Sequence, residues 1–174
     1  DSMVLGEREI AGQVRRAARA AREDGSISAP LERLFAAASR AARRVANETR
    51  LGALGRSLVD VALDAAHVCP GSRCLLVGTG SYAGAAAAAL ARRGAGSVDV
   101  FSASGRAASF ARERGLGIVA EDALEGTIAL VDVVVTCSVR SDLVLGPEHF
   151  ESRDPGAPLV VVDLALRRDV DPAV

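Results

Sequence analysis

The sequence predicts an α/β protein, in which a parallel sheet carries helices on both faces and follows an N-terminal helical segment. Short apolar runs of strand length alternate with helical stretches over the last two thirds of the chain, which is typical of parallel sheets. One such run, residues 74–77, leads directly into a glycine-rich turn at residues 78–83. Over the first 45 residues, apolar side chains recur at helical spacing. Together these patterns predict a Rossmann-like fold.

The glycine-rich turn has the context of a dinucleotide-binding motif. An alanine-rich helix follows it as far as Gly94, and a second strand follows at residues 98–101. Gly78 permits a tight turn, Gly80 lets the backbone approach a pyrophosphate, and the small Ala83 lets the helix lie close to the strand. The predicted cofactor-binding residues of this turn are Gly78, Thr79, Gly80, Ser81, Tyr82 and Ala83. The alternative is a glycine-rich turn that binds nothing.

The end of the second strand bears on the choice of cofactor. An NAD site usually has an acidic residue there for the ribose hydroxyls, but here Ser102, Ala103, Ser104, Gly105 and Arg106 follow the strand. Hydroxyls and an arginine favour the 2′-phosphate of NADP, so Ser102, Ser104 and Arg106 are predicted to bind it. A simpler alternative is that a serine only caps the next helix.

The order of elements predicts two domains. Two amphipathic helices, one ending at Gly25 and one starting at Ser28, form a helical segment over residues 1–49, and a glycine-containing stretch then leads into a nucleotide-binding domain over residues 50–174. The elements predicted around the central motif are a helix at residues 57–66, a helix from 106 to 114, a strand near 118, a small helix near 122–125, and strands at 132–136 and 159–163.

Composition excludes several classes of protein. The chain has 174 residues, 49% of them apolar, and a net charge of −1, which gives no overall attraction to nucleic acid or membrane. All 21 basic residues are arginine, and they are enriched in the first third of the chain. Cys69, Cys74 and Cys137 are odd in number and widely spaced, so neither a disulfide framework nor a metal site is expected. Cys137 could line the nicotinamide pocket or simply be a small buried residue. We expect a cytoplasmic protein without a membrane segment.

Four segments resemble the glutamyl-tRNA reductases: DSMVLGExxIxGQV at the start, LFxxAxxxAxRVxxET in the second helix, VGTGSYA at the turn and VVVDLALRRDVDPAV at the end. The resemblance implies NADPH as cofactor and glutamyl-tRNA as substrate, with reduction to glutamate-1-semialdehyde for tetrapyrrole synthesis. It also implies a homodimer and the downstream semialdehyde aminomutase as a partner. Its substrate-binding segment falls on Ser2, Glu7, Arg8, Glu9 and Gln13, where acids could otherwise simply favour a helix start.

The resemblance has limits that leave alternatives open. The family's nucleophilic cysteine is expected upstream of this chain, and its C-terminal dimerisation domain beyond residue 174, so no catalytic residue is assigned and the chain alone is expected to be inactive. The family usually has Glu-Met-Gly where Ser81, Tyr82 and Ala83 stand, and its arginine after the second strand has moved to Arg106. Two alternatives are a non-catalytic nucleotide-binding scaffold and an oxidoreductase of shikimate-dehydrogenase type. The latter needs a lysine, which this chain lacks.

Overall fold

The computed structural model describes residues 9–48, 57–138, 144–165 and 167–174. Its internal contacts divide the chain into two compact units, residues 1–61 and 62–174. The predicted domain boundary between residues 49 and 50 falls at the segment 49–56, which lies outside the described residues. That boundary therefore stays a prediction.

The first unit contains two long helices, α1 (Glu9–Glu23) and α2 (Ala29–Glu48). Between them Gly25 adopts a φ of +66°, in the left-handed region that glycine enters without penalty. An ion pair of 2.6 Å between Arg22 and Glu32 joins the end of α1 to the start of α2. These are the two amphipathic helices that the sequence predicts.

The second unit contains a five-stranded sheet with the order β3-β2-β1-β4-β5, in which every neighbouring pair is parallel. The alternation of strands and helices predicted from the sequence is confirmed. The remaining elements are α3 (Leu58–Ala65), β1 (Arg73–Val77), α4 (Ser81–Arg92), β2 (Ser97–Phe101), α5 (Ala107–Arg112), β3 (Gly117–Ile118), α6 (Leu124–Leu130), β4 (Val133–Thr136) and β5 (Val160–Asp163).

The connection from β4 to β5 contains a short 3-10 helix, Pro147–Phe150, where a Rossmann-like alternation would usually supply an α-helix. Leu145, just before it, forms a parallel bridge with Val170, beyond β5. This bridge brings the end of the chain back to the carboxyl edge of the sheet. No helix in the described ranges is long and apolar enough to cross a membrane.

Both faces of the central strand β1 are buried. Leu75 and Val77 belong to one apolar cluster together with residues of α6, such as Ile128. On the other face α4 contacts β1, and its buried residues are mostly alanines. Those buried residues are Ala83, Ala86, Ala87, Ala89 and Leu90. The small side chains let the start of α4 lie close to the end of β1, where the glycine turn joins them.

Arg153 ties the end of α6 to the approach to β5. Its guanidinium donates hydrogen bonds to the carbonyl oxygens of Ile128 at 2.7 Å, Val131 at 2.9 Å and Pro158 at 2.6 Å. Hydrogen bonds from a charged donor to partly buried carbonyls contribute more than neutral ones.

We predict that Arg153→Met lowers the free energy of unfolding by about 1–3 kcal/mol, because three carbonyls lose a charged donor. Urea denaturation followed by circular dichroism measures the change. Arg112→Met is the matched control, since Arg112 is exposed at the end of α5. Equal stability of the two variants would contradict the structural role given to Arg153.

Candidate nucleotide-binding site

A narrow cleft opens at the carboxyl edge of the sheet, above the ends of β1, β2 and β4. The strand order places β2 on one side of β1 and β4 on the other, so the cleft lies at the point where successive connections leave in opposite directions. Open α/β sheets bind their ligands at this position. The cleft is lined by Val77, Gly78, Thr79, Gly80, Ser102, Ala103, Ser104, Arg106, Ser138 and Val144.

Gly78 is required at its position for two physical reasons. Its φ is +114°, a conformation that side-chain-bearing residues rarely adopt. A Cβ on Gly78 would also lie 3.0 Å from the carbonyl carbon and oxygen of Cys137 and 3.1 Å from the amide nitrogen of Ser138. The turn after β1 therefore runs directly against the backbone that follows β4.

Gly80 is the residue at the N-terminal cap of α4, with extended backbone angles and no side-chain hydrogen bond to the helix start among the described residues. The helix begins at Ser81, and the amide of Gly84 donates to the carbonyl of Gly80 at 3.2 Å. An uncapped helix N-terminus beside a cleft attracts anions through its amides and its dipole. The hydroxyl of Thr79 is buried and has no partner within the described part of the chain, so it is available to a ligand.

The loop after β2 holds the three predicted phosphate-binding residues in one hydrogen-bonded chain. The hydroxyls of Ser102 and Ser104 lie 2.9 Å apart, and the Nε of Arg106 donates to the hydroxyl of Ser104 at 3.0 Å. Gly105, with a φ of +73°, closes the turn by donating its amide to the carbonyl of Ser102 at 2.9 Å. No carboxylate of the described residues pairs with Arg106. The serines therefore orient a guanidinium whose charge is not neutralised.

A second arginine lies beside the first and was missed by the sequence analysis. Arg114 stacks over the ring of Phe110 at 4.0 Å from its centroid and pairs with Glu113 at 2.9 Å. Together with Arg106 it lines a groove that continues from Thr79 and Gly80 at the start of α4. Two guanidinium groups thus lie beside the glycine turn, and the charge of Arg114 is paired with Glu113, which lines the same groove.

A hydrogen-bonded pair of aspartates lies at the ends of β4 and β5, on the other side of the cleft. Asp163 accepts the hydroxyl of Thr136 at 2.8 Å and the amide of Asp169 at 2.9 Å. Asp169 is fully buried and accepts the amide of Ser138 at 2.7 Å as well as the hydroxyl of the same serine. Burial raises the pKa of Asp169 above its usual range, and the two hydrogen bonds from Ser138 oppose that rise. Sequence analysis assigned no role to Ser138, Asp163 or Asp169.

The three cysteines are free, and none lies in the cleft as an available nucleophile. Cys137 is 3% exposed and donates its thiol to the carbonyl of Val77 at 3.4 Å. Burial raises its pKa to about 12, with a further rise from Asp169. Burial likewise raises the pKa of Cys74 to about 11. Cys69 is exposed, but it precedes β1 and so lies at the amino edge of the sheet, opposite the cleft.

The predicted site residues have different outcomes. The structure brings together Gly78, Thr79, Gly80, Ser102, Ser104 and Arg106 around one cleft. Ser81 is the first residue of α4, Tyr82 follows it, and Ala83 is fully buried, so Ala83 contributes by close packing.

Of the predicted substrate residues, Ser2, Glu7 and Arg8 lie outside the described residues. Glu9 is the first residue of α1, and Gln13 is exposed on the same helix, in the first unit of the chain. No group of three or more potential metal ligands occurs in the described ranges.

Comparison with known families divides the chain in the same order. The family described as glutamyl-tRNA(Glu) reductase, N-terminal domain, matches residues 1–49, and the family described as shikimate / quinate 5-dehydrogenase matches residues 60–174. The glutamyl-tRNA reductase of Micrococcus luteus is 48% identical over 100% of this chain and 42% of its own length. That of Kocuria rhizophila is 47% identical over 100% of this chain and 40% of its own length. The chain thus spans less than half the length of these curated relatives.

Solved structures agree with these matches. The glutamyl-tRNA reductase from Methanopyrus kandleri has a TM-score of 0.61 and 30% identity, covering 99% of this chain and 46% of that one. The nucleotide-binding domain of the glutamyl-tRNA reductase from Thermoplasma volcanium has a TM-score of 0.54 and 19% identity, covering 67% of this chain and 82% of that one. At that identity the second likeness concerns the fold alone.

The fold and the cleft define a dinucleotide-binding domain, and over residues 60–174 the chain belongs to the shikimate/quinate 5-dehydrogenase family. The additional match over residues 1–49 and the relatives of nearly half identity add a second likeness. Over all of its length the chain is similar to glutamyl-tRNA reductases, as its four motifs indicated.

The close approach at Gly78 leads to a prediction about stability. We expect Gly78→Ala to lower the free energy of unfolding by more than Gly115→Ala does. Each substitution places a side chain at positive φ, which costs about 1–2 kcal/mol, but only the first adds overpacking of about 1–3 kcal/mol. Gly115 has a φ of +67° and no atom within 4 Å of where its Cβ would be, so its loss reports the cost of a left-handed backbone without overpacking. Urea denaturation of both variants measures the difference, and equal losses would contradict it.

Cysteine accessibility gives a second prediction. Because Cys74 and Cys137 are buried with raised pKa values, we expect iodoacetamide at about pH 8 to modify Cys69 and leave the other two unmodified in the folded chain. Mass spectrometry of the digested protein measures the extent at each site. In guanidinium chloride all three should react. Native modification of Cys137 at the rate of Cys69 would contradict the assignment of Cys137 as a buried thiol.

Proposed function

We propose that this chain binds NADPH and supplies the cofactor-binding part of an enzyme that reduces glutamyl-tRNA to glutamate-1-semialdehyde. The cofactor class rests on the cleft, and the substrate rests on the relatives named glutamyl-tRNA reductase. The preference for NADPH over NADH rests on one observation, the hydrogen-bonded chain from Ser102 through Ser104 to Arg106 at the end of β2.

The loop after β2 fits a 2′-phosphate and does not fit a free 2′-hydroxyl equally well. A ribose diol is usually bound by a carboxylate at this position, whereas the residues here supply two hydroxyl groups and a guanidinium. Since Nε of Arg106 is bonded to Ser104, the terminal nitrogens of the guanidinium remain for a phosphate. Arg114 lines the adjoining groove, but its charge is paired with Glu113, so the proposal rests on Arg106.

The remaining residues of the cleft suit the other parts of a dinucleotide. Gly78 and Gly80 let the backbone lie against the pyrophosphate, which the start of α4 attracts through its amides. The hydroxyl of Thr79 offers a donor at the same turn. When bound, the nicotinamide cofactor supplies a hydride, and the part of this chain in the chemistry is to bind and orient it.

The proposed reaction joins a hydride and a proton to the glutamyl ester, which releases the tRNA hydroxyl and leaves an aldehyde. The resemblance implies a thiolate that first takes the glutamyl group. None of the three cysteines of this chain is assigned that role, because Cys74 and Cys137 are buried and Cys69 lies at the opposite edge of the sheet. The roles of Ser2, Glu7, Arg8, Glu9 and Gln13 toward the substrate remain predictions. So do the homodimer, the aminomutase partner and the cytoplasmic location.

Titration of this chain with NADPH and with NADH, followed by nucleotide fluorescence, tests the proposal. We expect NADPH to bind more tightly, and Arg106→Ala to raise the Kd for NADPH by about 10–100-fold, the loss typical of a charge-assisted hydrogen bond. The Kd for NADH should change by less than about twofold, because NADH has no 2′-phosphate for the arginine to contact.

Arg112→Ala, on the exposed side of α5, the helix that follows Arg106, is the matched control and should leave both affinities unchanged. Absence of binding of either nucleotide near about 1 mM would overturn the cofactor proposal. Equal affinities for the two nucleotides would overturn the role of the loop after β2.

A further inference from the structure

Asp169 contacts both of the residues that flank segment 139–143. Its carboxylate accepts the amide of Ser138 at 2.7 Å and the hydroxyl of Ser138. Its backbone carbonyl accepts the amides of Val144 at 2.8 Å and Leu145 at 2.9 Å. One buried residue near the end of the chain therefore fixes the backbone on either side of that segment.

Asp169 is itself held by the ends of two strands. Its amide donates to Asp163 at 2.9 Å, and Asp163 also accepts the hydroxyl of Thr136 at 2.8 Å and the amide of Ala165 at 3.0 Å. Thr136 ends β4 and Asp163 ends β5. These hydrogen bonds therefore fix the position of Asp169 relative to the sheet.

Both flanking residues form a wall of the cleft. Ser138 and Val144 line it, and the amide nitrogen of Ser138 lies 3.1 Å from where a Cβ of Gly78 would be. Any movement of Ser138 therefore changes the distance between the glycine turn and the backbone after β4. The glycine turn and Ser138 both line the cleft.

Burying the carboxylate of Asp169 costs more free energy than is needed merely to fix a loop. A fully buried carboxylate loses hydration, and here it has a second carboxylate, Asp163, as its neighbour. Ordinary loop fixation needs only neutral groups. A dinucleotide that crosses the cleft has one nucleotide on the β2 side, near Arg106, and the other on the β4 side, near Ser138. A fixed wall at Ser138 would therefore hold the nucleotide on the β4 side.

We propose that Asp169 is a positioning residue for the cofactor: by holding Ser138 against the glycine turn, it sets the wall that contacts the nicotinamide half of the dinucleotide. This inference rests on the proposed NADPH-binding function. Asp169 acts through Ser138 and makes no contact with the ligand itself. Substitution of Asp169 should therefore weaken the binding of ligands that contain the nicotinamide half and leave the binding of ligands without it unchanged.

The test compares two probes, NADPH and 2′,5′-ADP, on the chain carrying Asp169→Asn. This substitution keeps the backbone carbonyl that holds Val144 but removes the charge and one of the two acceptor oxygens offered to Ser138. We expect the Kd for NADPH to rise about tenfold and the Kd for 2′,5′-ADP, which has no nicotinamide half, to change by less than about twofold. A general loss of folding would weaken both probes together.

Amide hydrogen exchange measures the same contact without any ligand. In Asp169→Asn the amide of Ser138 should exchange at least about tenfold faster, while that of Cys137, bonded to the carbonyl of Val77 at 2.9 Å, should be unchanged. Asp171→Asn is the matched control; its carboxylate accepts only the amide of Ala173 among the described residues, and it should leave affinity and exchange unaltered.

Several outcomes would overturn the inference: unchanged NADPH affinity in Asp169→Asn, equal losses for the two probes, or unchanged exchange at Ser138. If the unsubstituted chain binds neither probe, the proposed function fails. Asp169 then has no cofactor to position, and faster exchange at Ser138 would show only that Asp169 stabilises the backbone there. The second variant, Ser138→Ala, retains the amide contact and should give a smaller loss of NADPH affinity than Asp169→Asn.

Discussion

The site depends on a close approach between two backbones. Where β1 and β4 end, the turn at Gly78 runs so near the peptide joining Cys137 to Ser138 that a Cβ there would force one of the two backbones to shift. The thiol of Cys137 is buried beside this contact, and Ser138 lies at the edge of the site. The nucleotide-binding shape is thus a property of backbone packing, and the side chains around it refine which ligand is accepted.

Much of the fold and half of the site could be predicted because their signals are local. The apolar run before Gly78, the glycine spacing and the alanine-rich helix lie close together in the chain, and together they predict the first crossover. The cofactor signal after β2 is also local, since the serines and Arg106 follow the strand directly. What it reports is that no acidic residue stands where an NAD site usually has one. Each of these signals can be recognised without knowing which residues far apart in the sequence come into contact in the fold.

The rest of the site depends on contacts that no local pattern reports. Asp169 meets Ser138 across 31 positions of sequence, and both residues look like ordinary loop polar groups until the sheet is assembled. Arg114, which follows α5, reaches the glycine turn only in the folded chain, where its guanidinium lies near Gly84. In its described part, the β4 to β5 connection has a 3-10 helix and no α-helix, which strand periodicity cannot predict.

The alanine face of α4 restricts how this sequence can change. Ala83, Ala86 and Ala89 are completely buried, and their methyl groups are almost the smallest side chains that a helix offers. A larger residue at any of them must push the helix away from β1 and with it the amides at the helix start. Glycine avoids that displacement but weakens the helix. Evolutionary drift along this face therefore has few neutral substitutions to accept, because larger and smaller residues both lower stability.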